Sequence, residues 1–296
     1  MTYVHNYTAD RHERFAAAFR EDPTQLLELA PAECETVKAR LTEFYRGHLE
    51  SSGLRGYVVG LSGGIDSSVT AHLLADAVGP ERVFGVIMPA EHSSEDDVEH
   101  ARAVADRLGI PTNDPDQVRE HIDDAVETLE RLGRRVDDEE EQRVKRGNIL
   151  ARCRMIVARD VAKARESLVA GTTNASERDL GYMTLAADGL GGIDNEALYE
   201  LYKTSVRSLA RFMDVDEAII EKLPSADLWK GQRDKDELLH GYDVLDQILV
   251  GIAIGMDDDA IVDAVDAAGK GDAAMVRERK QEMAYKRDLP PHPSFS

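Results

Sequence analysis

Short apolar runs alternate with amphipathic stretches along the first two-thirds of the chain. Tyr57-Val58-Val59, Val83 to Met88 and Leu168 to Gly171 are continuous apolar runs of strand length. Runs that are apolar at consecutive positions predict strands buried on both faces, as in parallel sheets. The first is followed at helical spacing by Val69, Leu73 and Ala77, and the second by Val98, Ala101, Ala105 and Leu108, ending at Gly109. Helices are also expected over 22–50, with Leu41, Phe44, Tyr45 and Leu49 on one face, and over 117–132 and 148–165. Helical spacing then dominates, over 196–213, 238–255, 258–268 and 272–286. This alternation predicts an α/β fold, a doubly wound parallel sheet flanked by helices, with extra C-terminal helices. No repeat or low-complexity linker divides the chain, so residues 1–296 read as one domain. Two Pro- and Gly-marked stretches, 89–97 and 224–238, are expected to be mobile loops. Loops at the carboxyl ends of parallel strands are where such sheets bind ligands.

Charge narrows the partners. Lys and Arg total 36 against 57 Asp and Glu, a formal net charge of −21. Such a chain repels nucleic acid and anionic membranes, so neither is expected as a partner. The run Asp137-Asp138-Glu139-Glu140-Glu141 reads as a solvated loop or helix face. Dispersed acidity with few lysines suits a salt-rich, halophilic cytoplasm, where repulsion is screened. The two cysteines, Cys34 and Cys153, have no metal-binding spacing, which fits a reducing cytoplasmic setting. Arg152 and Arg154 flank Cys153 and would lower its pKa, although a lone helix cysteine is more often a small packing residue. The N-terminal MTYVHNYTADRHERF has no apolar core typical of a signal peptide, and ILVGIAIGM is too short to span a bilayer.

The chemistry concentrates in Gly60-Leu61-Ser62-Gly63-Gly64-Ile65-Asp66-Ser67-Ser68, between an expected strand and an expected helix. Gly63 and Gly64 can take positive φ and let successive N–H groups converge on an anion. The following helix adds its free N–H groups and positive dipole end. The Walker A lysine is missing, and Asp66 stands beside the expected phosphate. A divalent cation between them would remove that conflict. A plain turn with Asp66 as N-cap is the simpler alternative.

The whole nonamer resembles the pyrophosphate-binding motif of the ATP pyrophosphatases, which cleave ATP between the α and β phosphates. Further segments resemble one member family, the ammonia-dependent NAD synthetases. These are Lys145 to Met155 (KRGNILARCRM), Gly171 to Glu177 (GTTNASE), Leu201 to Thr204 (LYKT), and Pro224 to Trp229 (PSADLW) with Gly231-Gln232. They stand in the family's order, and the resemblance runs from about residue 35 to 293. It implies the adenine nucleotide alpha-hydrolase-like fold and a homodimer. It also implies ATP-dependent amidation of nicotinic acid adenine dinucleotide (deamido-NAD) by ammonia, through an acyl-adenylate, releasing AMP and pyrophosphate. By resemblance, Gly60, Leu61, Ser62, Gly63, Gly64, Ile65, Asp66, Ser67, Thr172, Lys203 and Ser225 would bind ATP, and Asp66 and Glu177 would bind Mg²⁺. Arg152, Asp194, Tyr285 and Lys286 would contact the dinucleotide. No covalent nucleophile is needed, and no persuasive Ser/His/Asp or Cys/His arrangement is present. Lys203 could otherwise be a solvated helix lysine, and Arg152 a surface arginine in an ion pair.

The acceptor side departs from the family pattern. Gly181 to Asp194 reads GYMTLAADGLGGID where the family has a GYFTKYGDGGAD-like stretch, so Leu185 replaces a lysine and Ala186 an aromatic residue. Tyr285-Lys286-Arg287 replaces HKR. Loss of a cationic contact forfeits a charge-assisted hydrogen bond worth about 1.5–3 kcal/mol. Two alternatives therefore stay open: a paralogous ATP pyrophosphatase that adenylates a different carboxylate or carbonyl, and a non-catalytic ATP-binding dimer. Retention of Asp66, Glu177 and Lys203 argues against the second.

Overall fold

The computed structural model describes residues 12–133, 136–189 and 191–288. The N-terminal segment MTYVHNYTADRHERF falls largely outside these residues, and Leu190 and the prolines at 290, 291 and 293 fall outside them too. The strands are β1 (Gly56–Gly60), β2 (Val83–Val86), β3 (Ser167–Gly171) and β4 (Asn195–Glu196), in the order β2-β1-β3-β4 and all parallel. The chain leaves β1 for β2 on one side and then returns to place β3 on the other. The crevice at the carboxyl ends of β1 and β3 is thus a topological switch point, the usual ligand site of such sheets.

The helices are α1 (His12–Glu21), α2 (Pro31–Ser52), α3 (Ile65–Val78), α4 (Glu95–Leu108), α5 (Pro115–Leu132), α6 (Glu139–Ala164), α7 (Ala175–Leu180) and α8 (Lys203–Phe212). One-turn α9 (Glu217–Ile220) and α10 (Asp234–Glu237) follow, then α11 (Tyr242–Ala253), α12 (Asp258–Ala264) and α13 (Asp272–Glu282). Strand alternation divides the core. Tyr57, Val59, Leu168 and Ala170 face a large cluster with Leu73 and Leu74 of α3, Tyr45 of α2, and Val206 and Leu209 of α8. Val58, Phe84, Val86 and Val169 point the other way, onto Ala158 and Ala162 of α6. Both faces of the sheet are therefore covered, as the unbroken apolar runs required. No helix among the described residues is long and apolar enough to cross a membrane.

Several expected helices are interrupted, each for a local reason. The stretch 22–50 divides into a 3-10 turn, Pro23–Leu26, and α2, with Pro31 at the start of α2. A proline lacks the N–H that a continuing helix would need there. The stretch 196–213 contains a 3-10 turn, Ala197–Glu200, and then restarts at Lys203. Val83 to Met88 stops as a strand at Val86, and the stretches 238–255 and 258–268 shorten to α11 and α12. The acidic run at 137–141 supplies the cap and first turn of α6: Asp138 accepts the Glu141 amide at 2.8 Å. Acidic side chains there favourably meet the helix dipole. Arg154 and Arg152 turn to other partners, and burial pushes the Cys153 thiol up, opposite to the expected lowering. It is a buried free cysteine, as is Cys34.

Because α3 seats the glycine turn, its packing bears directly on the site. Leu73 is fully buried. Leu73→Ala should lower the unfolding free energy by about 2–5 kcal/mol, read from a urea transition. An unchanged midpoint would show that α3 is not clamped in the core.

Candidate functional site

The turn after β1 is shaped by one backbone constraint. Gly63 has φ +72°, and a Cβ there would lie 2.3 Å from the Asp97 carbonyl oxygen. Only glycine meets both conditions. Gly64 caps α3 without any side-chain hydrogen bond to the first turn. Serines brace the turn instead. Ser67 and Ser68 hydroxyls donate to the Gly64 carbonyl at 3.0 and 2.8 Å, and Ser62 and Ser67 share a hydrogen bond of 3.1 Å. A helix N-terminus held open in this way favours an anion.

Next to it lies a buried charge cluster. Lys203, the first residue of α8, is only 4% exposed. Its Nζ donates to Asp66 Oδ2 at 2.5 Å and to Glu177 Oε1 at 3.0 Å. Asn174 caps α7 and donates from Nδ2 to Asp66 Oδ1 at 3.0 Å. Burial pushes the Glu177 carboxyl up to about 8; Lys203 pulls against this and Asp66 adds to it. Burial also opposes the Lys203 charge, but Asp66 and Glu177 outweigh it and hold the ammonium above the ordinary lysine range. Asp234 stands close by; burial raises its pKa, and it accepts the Tyr242 hydroxyl at 3.0 Å. One buried ammonium thus faces several carboxyl groups.

These groups line a cavity of about 340 Å³. Its wall includes Gly60, Leu61, Ser62, Gly64, Ile65, Asp66, Ser67, Thr172, Glu177, Lys203 and Ser225. Gly63 packs against the main chain of Asp97, which also lines the cavity. Arg207, Lys222, Arg154, Tyr182 and Asp234 also line it. Arg154 and Tyr182 fall in segments quoted for the family resemblance but were given no site role, and Arg207, Lys222 and Asp234 were not singled out, since isolated charged residues in an acidic chain carry little signal. The stretches expected to be mobile form part of the rim and are tied together. Ser93 donates to Asp227 Oδ2 at 2.6 Å, and Arg154 donates to the carbonyls of Met88 and Asp227 at 3.0 and 3.3 Å.

The four residues expected on the acceptor side do not line this cavity. Arg152 donates to the carbonyls of Leu185 and Asn148 at 3.2 and 3.3 Å. Asp194 pairs with Arg159 at 2.7 Å and accepts the Val169 amide at 2.7 Å. Lys286 donates to the Gly181 and Met183 carbonyls at 2.6 and 2.9 Å, and Tyr285 is 59% exposed.

Fold and cavity together define an α/β protein with an open helix N-terminus and a carboxylate–lysine cluster at the switch point of a parallel sheet. The chain belongs to the NAD synthase family, whose model matches residues 37–290. It is 42% identical over 217 residues to the NH(3)-dependent NAD(+) synthetase of Methanocaldococcus jannaschii, covering 73% of this chain and 80% of that protein. It is 37% identical over 257 residues to the enzyme of the same name from Chlorobium phaeovibrioides, covering 86% and 88%. Similar solved structures include the NMN synthetase of Francisella tularensis, at 26% identity and TM-score 0.74, covering 90% of this chain and 100% of that one. Another is the NH3-dependent NAD synthetase of Campylobacter jejuni in complex with nitrate, at 25% identity and TM-score 0.66, covering 88% and 99%.

Gly63→Ala should weaken ATP binding by roughly tenfold or more, since it strains the backbone and forces the Asp97 carbonyl away. Isothermal titration calorimetry would measure this, and wild-type affinity in the variant would show that the turn does not hold the nucleotide.

Proposed function

We propose that this chain is an ATP-dependent ligase that amidates nicotinic acid adenine dinucleotide with ammonia, yielding NAD, AMP and pyrophosphate. The observation that carries the reading is the open N-terminus of α3 facing Lys203, itself buried between Asp66 and Glu177. In the reaction, a nicotinate carboxylate oxygen attacks the α-phosphorus of ATP as the bond to the β-phosphate oxygen breaks. Pyrophosphate leaves, and an acyl-adenylate forms. Ammonia then attacks the acyl carbon, AMP departs with the acyl oxygen link, and a proton is lost from nitrogen. The residues holding ATP are Gly60, Leu61, Ser62, Gly63, Gly64, Ile65, Asp66, Ser67, Thr172, Lys203 and Ser225. The turn and the α3 N–H groups hold phosphate oxygens, and Lys203 neutralises charge that builds on the leaving pyrophosphate. The cavity walls align the reactants and exclude water that would hydrolyse the adenylate. No side chain acts as a covalent nucleophile in this scheme.

The donor set fits Mg²⁺. The Asp66 and Glu177 carboxylates converge on one atom, Lys203 Nζ, and offer hard oxygen ligands. Mg²⁺ is commonly held by one or two carboxylates together with substrate phosphates. Bound there, it would neutralise phosphate charge and polarise the phosphorus centre. Arg152, Asp194, Tyr285 and Lys286 remain the proposed dinucleotide contacts, in a homodimer whose partner helices complete the acceptor side. The acidic surface suits a salt-rich cytoplasm.

A second reading changes only the acceptor. The absence of a lysine at Leu185 and the likeness to an NMN synthetase favour the mononucleotide, nicotinic acid mononucleotide, as substrate. The decisive experiment supplies ATP, Mg²⁺ and ammonium with each acceptor in turn and counts AMP and pyrophosphate against amide product. Equal yields of NAD, AMP and pyrophosphate are expected with the dinucleotide. Turnover with the mononucleotide alone establishes the second reading. ADP release, or pyrophosphate only with an unrelated carboxylate, overturns both.

Two further outcomes follow from the charges. Asp66→Asn should lower kcat by about a hundredfold or more, and chelation by EDTA should stop turnover reversibly. Activity unaffected by either would remove the metal role of Asp66. Screening of the −21 net charge should raise the melting temperature between about 0.1 M and 2 M KCl. A flat or falling dependence in a thermal melt would contradict the salt adaptation.

A further inference from the structure

Asp246 lies on α11 outside the cavity, is 0% exposed, and has no role in the chemistry above. A carboxylate so buried costs several kcal/mol in desolvation unless its oxygens are satisfied. Here both oxygens are. Oδ2 accepts the Thr204 amide and the Thr204 hydroxyl, each at 2.8 Å. Oδ1 accepts the Ser176 hydroxyl at 2.5 Å. Ser176 Oγ in turn accepts the backbone amide of Lys203 at 2.9 Å.

The consequence is specific to the start of α8. Its N-cap residue, Tyr202, makes no side-chain cap. The first two helical amides, of Lys203 and Thr204, are taken instead by Ser176 and Asp246. An anion from a different helix therefore caps α8 and fixes the backbone of Lys203. The same hydroxyl belongs to the residue before Glu177 on α7. Asp246 thus ties the element carrying Lys203 to the element carrying Glu177.

We propose that Asp246 is a positioning residue for the reaction. Through Ser176 and Thr204 it sets where the Lys203 ammonium meets the nucleotide phosphates. This rests on the ATP-ligase reading above, and it concerns only how one phosphate-binding cation is aimed.

The test is a double-mutant cycle on ATP affinity and kcat. The variants are Asp246→Asn, Ser176→Ala and Lys203→Met, with the Asp246→Asn/Lys203→Met pair. Removing a hydrogen bond to a charged group predicts that Asp246→Asn weakens ATP binding and lowers kcat by about tenfold to a hundredfold. KM for the acceptor should stay within about twofold, because ground-state acceptor contacts are untouched. In the Lys203→Met background the Asp246 change should add nearly nothing, the mark of action through one residue. Additive losses, or wild-type ATP affinity and kcat in Asp246→Asn, overturn the proposal. Should Asp246→Asn not fold, Ser176→Ala decides it. This variant cuts the link to the Lys203 amide while leaving both Thr204 bonds to Asp246. It should reproduce the ATP defect in a folded protein whose melting temperature falls by a few degrees, as expected from two buried groups left unpaired; wild-type ATP affinity would overturn the proposal. Calorimetric ATP binding keeps the two readings separable. Wild-type protein that binds ATP but amidates neither acceptor would remove the ligase reading while leaving the positioning of Lys203 measurable.

Discussion

The site depends on a single buried ammonium. Lys203 is placed against Asp66 from the helix after β1 and Glu177 from the helix after β3. Each of these charges would be costly alone in so dry a position, and removing one partner of such a set leaves the others uncompensated. The cluster can therefore exist only if three separate helix starts are held in register. The sheet does this. β1 and β3 are adjacent and parallel, so the first turns of α3 and α7 emerge side by side at the switch point. The restart of the chain at Lys203 brings in the third.

A net charge of −21 works against the proposed phosphate site. The conflict resolves by distance. Surface carboxylates beyond a Debye length of about 8–10 Å are largely screened, whereas the α3 amides and the cavity cations act at contact. Lys203, Arg207 and Lys222 all line the cavity. Burial, with the Asp66 charge adding to it, pushes the Glu177 carboxyl up against the pull of Lys203.

Much of this was legible in the sequence. Three of the four strands among the described residues announce themselves as unbroken apolar runs, because parallel strands buried on both faces have no polar side to alternate with. The glycine turn was legible because Gly63 answers a steric demand that no other residue meets. β4 was not, being two residues long at the sheet edge. The break before Lys203 was not either. Leu198, Leu201 and Val206 are all buried and keep an apolar pattern across the interruption, and the cap that ends it is a carboxylate more than forty residues away. Asp246 sits within Val244-Leu245-Asp246-Gln247-Ile248-Leu249, where a lone acid among buried apolar neighbours was the available clue.

The two halves of the site differ in how they are built, and this bears on how acceptor choice could vary. The half proposed to hold the nucleotide rests on strand ends and helix starts, whose geometry the core fixes. Leu185 and Ala186, where the chain departs from the family pattern, lie instead on a turn, 184–189, held by a few polar links to α6. Thr184 donates to Asn148 at 2.7 Å, and Arg152 reaches the Leu185 carbonyl at 3.2 Å, a main-chain acceptor. Ala186 takes a positive φ of 60° within that turn. The contact with Arg152 is blind to the identity of residue 185, so the turn keeps its place on α6 while its side chains change. Loop segments on a rigid scaffold can alter specificity in this way without disturbing the common chemistry. A leucine at 185 thus leaves the carboxylate–lysine cluster undisturbed, and it moves the question of acceptor identity from the fold to a few side chains.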